Sequence, residues 1–351
     1  MISDNVKKIP ALRGLLNFLL SVGLAILFLY LAFNDVNFSE VMSLVSQASV
    51  LWIIVFVISF MIGHYIRALR WKVIIYSVKP DARMINLFGA LMIGYGVNGV
   101  TPKLGEVTRA IMIGRYENLS RSSMFGTVIV ERVIDIIALG FAVLISAFLW
   151  GANLYDTFPW LKSSLYISAI LMLVIILIIV LSVKLKERFY GVLIKSIGKI
   201  SQKIAERLAY IFEMLIQGFT SLKGARNYFL TLVATIILLL IYAFSAYLGF
   251  FMLDMQTGKE VTYTMGWIIM SISAIGVVIP TPGATGSYHA LAMSTLVLLF
   301  DFDETISAAY AFLTHIISYF LFIASALLMF FVLNKQHTSI MNIFKTNSEE
   351  S

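Results

Sequence analysis

Apolar runs long enough to cross a bilayer recur along this chain, and they fix its solvent before any motif is considered. They extend from Gly14 to Phe33, and from about Val50 to Leu69, Ser123 to Trp150, Leu161 to Val183, Tyr228 to Leu253 and Thr305 to Leu333. At about 1.5 Å of rise per residue, some 20 residues of helix span the hydrocarbon core, so each run is one crossing. Composition agrees: 60% of the residues are hydrophobic and 13% charged, where soluble chains have about 45–50% and about 25%. The expected fold is therefore an all-α polytopic membrane protein, with spans rather than soluble domains as its units. There is no cysteine, which excludes disulfides and thiolate metal sites.

Charge placement orients the spans, because Lys and Arg accumulate on the cytoplasmic side. Lys7, Lys8 and Arg13 precede the first run, which has no Ala-x-Ala exit and is read as an uncleaved span. Its outer loop carries Asp35 and Glu40 without a basic residue, and the second span ends on Arg67, Arg70, Lys72, Lys79 and Arg83. Residues 84–100 are apolar but short and glycine-rich. A crossing there would put Lys103, Arg109, Arg115 and Arg121 outside, so a re-entrant hairpin over about 84–116, broken near Thr101-Pro102, is expected instead. A second hairpin over about 262–300, broken at Pro280-Thr-Pro282-Gly283, precedes the acidic loop Asp301, Asp303 and Glu304.

The order is span, span, hairpin, span, then the same set inverted. It predicts about six full transmembrane helices plus two re-entrant helical hairpins in an inverted-topology repeat, with N- and C-termini cytoplasmic. Residues 1–150 form the first repeat and 161–333 the second, within a single membrane domain. The second repeat includes a basic amphipathic stretch, 184–226, lying against the inner leaflet, and 334–351 form a polar cytoplasmic tail. The breaks resemble each other, Thr101-Pro102-Lys-Leu-Gly105-Glu against Thr281-Pro282-Gly-Ala-Thr-Gly286-Ser. Broken helices in inverted repeats are the architecture of alternating-access carriers.

The intramembrane charges fit that architecture. Glu106 and Arg109 stand at i, i+3 after the first break, while Glu131 and Asp135 share a face of the next span with Arg132 beside them. Each ion costs about 2.5–3.5 kcal/mol at a bilayer centre, so all five should be paired or face water. Two readings stay open. These residues hold helices together near the cytoplasmic interface, or Arg109 and Arg132 line a cavity for an anionic group while Glu106, Glu131 and Asp135 hold them. Arg67, Arg70 and Trp71 read either as a headgroup site or, by their position at a span's end, as snorkelling anchors. His289, just past the second break, is a candidate proton site or simply a hydrogen-bonded histidine. His64 and His315 stand alone on apolar helices and are assigned no role.

No phosphate-binding Gly-x-x-x-x-Gly-Lys-Ser/Thr loop, His-Glu-x-x-His pair or Gly-x-Ser-x-Gly elbow occurs in the sequence. The expectation is thus a non-enzyme without metal or other cofactor.

Four motifs in order carry a resemblance: Arg67-x-x-Arg70-Trp71; Asn98-x-x-Thr101-Pro102-x-x-Gly105-Glu106-x-x-Arg109; Glu131-Arg132-x-x-Asp135; and Pro280-x-Pro282-Gly283-x-x-Gly286. Together they resemble the lysylphosphatidylglycerol synthase transmembrane-region family, the flippase-like membrane domain, over nearly the whole chain. Bifunctional members add a cytosolic aminoacyl-transferase domain, whereas this chain ends eighteen residues after Leu333, so a standalone member is expected. Many members have an acid where this chain has His289. The resemblance implies translocation, by alternating access, of a lipid with a charged headgroup, aminoacylated or other phospholipid, in the cell membrane. Asn98, Thr101 and His289 would join the translocation site, with Pro102, Gly105, Pro280, Pro282, Gly283 and Gly286 forming the breaks. Implied partners are anionic lipids, with a homo-oligomer or a separate lipid-modifying enzyme beside them, and no nucleic acid. The alternatives are a small-solute or ion secondary carrier and a non-transporting membrane scaffold.

Overall fold

A backbone surrounded by lipid has no water to bond, so its amides must be satisfied within the segment, and helix is the economical answer. The computed structural model describes residues 3–34, 36–101, 103–150 and 222–337, with residues 163, 166, 170 and 202. All regular structure in these residues is helical. In chain order the α-helices are α1 Ser3–Phe33, α2 Phe38–Ser46, α3 Val50–Ile75, α4 Met84–Val100, α5 Leu104–Tyr116 and α6 Arg121–Trp150. They continue with α7 Ala225–Met252, α8 Tyr263–Val278, α9 Ser287–Leu298 and α10 Glu304–His337.

Among the described residues α3, α6, α7 and α10 are each long and apolar enough to cross a membrane, and α1 with α2, bent by 86°, would make a fifth crossing. The expected span at 161–183, most of the amphipathic stretch at 184–226, Pro102 and most of the tail at 334–351 lie outside the described residues. The short α4 and α8 sit where the two half-helices are expected, each followed by a break and a second short helix. Helix α2 was not expected; its segment reads as loop. Asn37 caps it by accepting from the Ser39 amide at 3.1 Å and donates to Glu40 at 2.9 Å, so an Asn-x-x-Glu start signal stood in the sequence.

The chain divides into two compact units, and the division falls inside helices. The first comprises Met1–Gly63, Met92–Gly105 and Leu240–Phe330. Within it, small residues let helices approach closely, as they do wherever packing alone drives association in lipid. Gly96 faces Ala326 of α10, and Gly266 lies against the Ala243 carbonyl of α7. A buried hydrogen bond joins Ser59 to Ser245 at 2.8 Å. The second unit comprises His64–Leu91, Glu106–Leu239 and Phe331–Ser351. Its apolar interior includes Trp71, Ile74, Leu87, Ile113 and Met124. Glu117, after α5, reaches the start of α4, where its carboxylate accepts from the Arg83 amide at 3.0 Å and from Asn86 Nδ2 at 2.7 Å. A helix start leaves amides unbonded, and this acid satisfies one of them from another part of the chain.

Candidate functional site

The second unit concentrates its charge around one carboxylate. Glu131 on α6 is completely buried. Its Oε1 lies 2.8 Å from Arg67 Nε and 3.3 Å from Arg70 Nη2, and its Oε2 accepts from Arg109 Nη2. One turn along the same face, Asp135 accepts from Arg67 and Arg70 and stands 3.6 Å from Arg132 Nη1. Arg132 in turn donates to Glu106 Oε1 at 2.7 Å. Arg70 Nη1 reaches Thr235 Oγ1 at 3.1 Å, which brings α7 into a network already holding α3, α5 and α6.

The expected residues therefore do converge, with partners that spacing did not disclose. Glu106 and Arg109 do not pair along α5: each crosses to α6, Glu106 to Arg132 and Arg109 to Glu131. Arg67, Arg70 and Trp71 are not snorkelling anchors. A snorkelling side chain keeps its charged head in water, whereas these three are buried and the two guanidinium groups rest on Glu131 and Asp135. Trp71 donates to Thr127 Oγ1 at 3.0 Å, and its ring lies 4.7 Å from the Arg109 guanidinium carbon, a cation–π contact. Thr127 and Thr235 were not foreseen; a threonine on an apolar helix ordinarily bonds the preceding turn, and both do so here as well.

Charge does not balance among the described residues. Four guanidinium groups, Arg67, Arg70, Arg109 and Arg132, meet three carboxylates, Glu106, Glu131 and Asp135, which leaves 4 − 3 = +1. Arg109 is 2% exposed, and its Nε and Nη1 have no hydrogen-bond partner there. A buried guanidinium with idle donors in a net cationic cluster has the chemistry to hold an oxyanion, because the planar fork matches carboxylate or phosphate oxygens.

The breaks belong to the first unit and share a construction. At the first, Gly105 packs so tightly on the Gly94 carbonyl that a Cβ would fall 1.9 Å from that oxygen, and Asn98 Oδ1 accepts from the Gly105 amide at 2.8 Å. Thr101 turns its hydroxyl back to the Val97 carbonyl at 3.0 Å. At the second, a Cβ on Gly276 would fall 2.7 Å from the Ser287 carbonyl, and Ser287 Oγ donates to the Gly276 carbonyl at 2.8 Å. Pro282 opens a 3-10 turn, Pro282–Ala284, in which Gly283 takes φ 58°, and Gly286 takes φ 87°. Pro280 precedes this turn and is exposed.

His289 lies just inside α9, where its Nδ1 accepts from the Gly286 amide at 3.2 Å. His315 of α10 is not isolated: its ring centroid is 4.5 Å from that of His289, and its Nε2 lies 3.3 Å from Thr285 Oγ1. Tyr319, also unforeseen, donates to the Gly99 carbonyl at 3.1 Å and packs against Gly283. Among the described residues no group of three or more metal-ligating side chains occurs.

Residues 18–326 match the profile of the lysylphosphatidylglycerol synthase TM region. A UPF0104 membrane protein of Methanocaldococcus jannaschii is 25% identical over 77% of this chain and 80% of its own length. Another, of Methanothermobacter thermautotrophicus, is 30% identical over 40% of this chain and 43% of its own length. A third, of Pyrococcus horikoshii, is 27% identical over 38% and 40%. The matched stretch thus spans less than half the length of the latter two relatives. No solved structure matches.

Proposed function

Because the chain belongs to the lysylphosphatidylglycerol synthase transmembrane-region family, we propose that it is a lipid translocase moving lipids with an anionic, phosphate-bearing headgroup between membrane leaflets. The observation that carries this reading is the buried net charge of the arginine cluster, with idle donors on Arg109. An uncompensated charge away from water is costly and calls for a counter-ion. A phosphodiester supplies one negative charge and acceptor oxygens for the guanidinium fork. Glu131 and Asp135 hold Arg67, Arg70 and Arg109 in place, so the ligand meets a prearranged seat. Half-exposed Arg132, held by Glu106, is the residue through which a headgroup enters.

The topology that serves this function is six spans with two re-entrant hairpins in an inverted repeat, both termini cytoplasmic. The likeness of the breaks supports it: the close approach joins residues eleven apart in each, 105 − 94 in one and 287 − 276 in the other. Rocking of the repeats, or movement of the hairpins, would expose the seat to one leaflet and then the other. In this reading the chain transports and does not catalyse, resides in the cell membrane, and works as a homo-oligomer or beside a separate enzyme that modifies the lipid. A scaffold reading draws on one specific observation, that Glu131 and Asp135 are fully engaged by arginines.

Leaflet exchange of acyl-labelled phosphatidylglycerol in liposomes, with and without the protein, decides between these readings. Faster exchange with wild type, lost in a folded Arg132→Ala variant, is expected. Exchange no faster than in empty liposomes would reject the translocase.

A further inference from the structure

We infer that the His289–His315 pair is a proton-binding site, and that loading it loosens the second break. This deepens the translocase reading by assigning that transporter a coupling ligand, the proton. The geometry begins at Gly286, which precedes the first turn of α9. His289 stands three residues on, where a capping-box Glu or Gln reaches back to the amide before the helix, and His289 Nδ1 does so at 3.2 Å. As an acceptor, that Nδ1 carries no hydrogen, so the ring's hydrogen is on Nε2. A proton delivered from water forms a bond to the Nδ1 lone pair, and no other covalent bond changes. The Gly286 amide then faces a donor, and the tie between break and helix is lost. Release of the proton restores the lone pair and the tie.

His315 makes this a pair rather than a single site. Its ring is 4.5 Å from His289, stacks on Tyr288 and Tyr319, and reaches the break itself through Thr285. Two imidazolium ions at that spacing repel, so the pair takes one proton at a time. Among the described residues, the other titratable groups facing it are phenols: Tyr288, bonded to Thr314 at 2.9 Å, and Tyr319. From α1 the ring of Phe33 packs on His289. Between Leu16 and Phe33 that helix carries no ionisable residue except the exposed Tyr30, and α8 carries none after Tyr263. With no carboxylate among these contacts to fix a permanent imidazolium, the charge can come and go.

Loosening the second break also reaches the first. The Tyr319 ring lies against Gly283, while its hydroxyl holds the Gly99 carbonyl at the end of α4. One side chain therefore senses both breaks within this unit.

The test is hydrogen exchange of residues 281–290 in nanodiscs as a function of pH, beside phosphatidylglycerol exchange in liposomes with and without a pH gradient. His289→Gln keeps an acceptor for the Gly286 amide and removes the titration. In wild type, exchange corrected for intrinsic rate should rise about fivefold, the worth of one hydrogen bond, on going from about pH 8 to about pH 3.5. In His289→Gln it should stay flat, and His315→Gln should shift the wild-type midpoint. The gradient should change the rate of lipid movement in wild type and leave it unchanged in His289→Gln. A flat profile in wild type, or a wild-type response in His289→Gln, overturns the inference even if lipid moves. A pH-dependent break in a protein that moves no lipid leaves the proton site standing and removes the translocase reading.

Discussion

Around Glu131, three helices bring seven charged side chains together and a fourth adds Thr235; around His289, the contacts are rings, hydroxyls and backbone amides. The two clusters differ in what their removal costs. In the first, Glu131 and Asp135 each answer three arginines, and taking one of these acids away strands charge in the interior. In the second, each link is a neutral hydrogen bond or a ring contact, worth about 1 kcal/mol net. An over-determined cluster suits a fixed seat, and a weakly tied one suits a joint that moves. The same economy separates the breaks from the spans: the breaks close on backbone carbonyls with glycine, leaving little room for error and little energy in any one bond.

Variants that break this contrast are ordered by expected effect. Glu131→Gln leaves three arginines facing a neutral amide, and thermal unfolding in detergent should report a loss of about 3–5 kcal/mol. A loss below that of an ordinary surface change would mean the cluster is wetter than its burial implies. Gly105→Ala sets a methyl against the Gly94 carbonyl, which is backbone and cannot swing away. It should cost about 1–3 kcal/mol, and unchanged unfolding would argue against the tight first break. Tyr319→Phe removes the hydroxyl from Gly99 while keeping the ring against Gly283, a loss of about 1 kcal/mol. Asp81→Asn is the control. Its exposed pair with Lys79, 3.3 Å apart, holds the Asp81 carboxyl below its usual range through their hydrogen bond, yet unfolding should not move.

The helices were legible because lipid leaves the backbone few alternatives. α3, α4, α6, α7 and α8 begin or end within a few residues of where apolar length and Gly or Pro placed them. Helix α2 was missed because its nine residues are too short to register as a period. In the charged cluster, the Glu131 and Asp135 face followed from helical spacing, but the partners did not. Position at a span's end made Arg67 and Arg70 look like anchors, and only the packing of α3 on α6 turns them inward. His315 meets His289 across two helices, a contact no local pattern announces.

The central claim is that the excess charge at Arg109 selects an anionic lipid. The direct test is leaflet exchange of acyl-labelled phosphatidylglycerol and phosphatidylcholine in liposomes carrying wild type or Arg109→Gln, matched for folded, inserted protein. The account predicts that wild type accelerates the anionic lipid more than the zwitterionic one, and that Arg109→Gln loses this preference. An Arg109→Gln protein that moves phosphatidylglycerol at the wild-type rate and with the wild-type preference would contradict it.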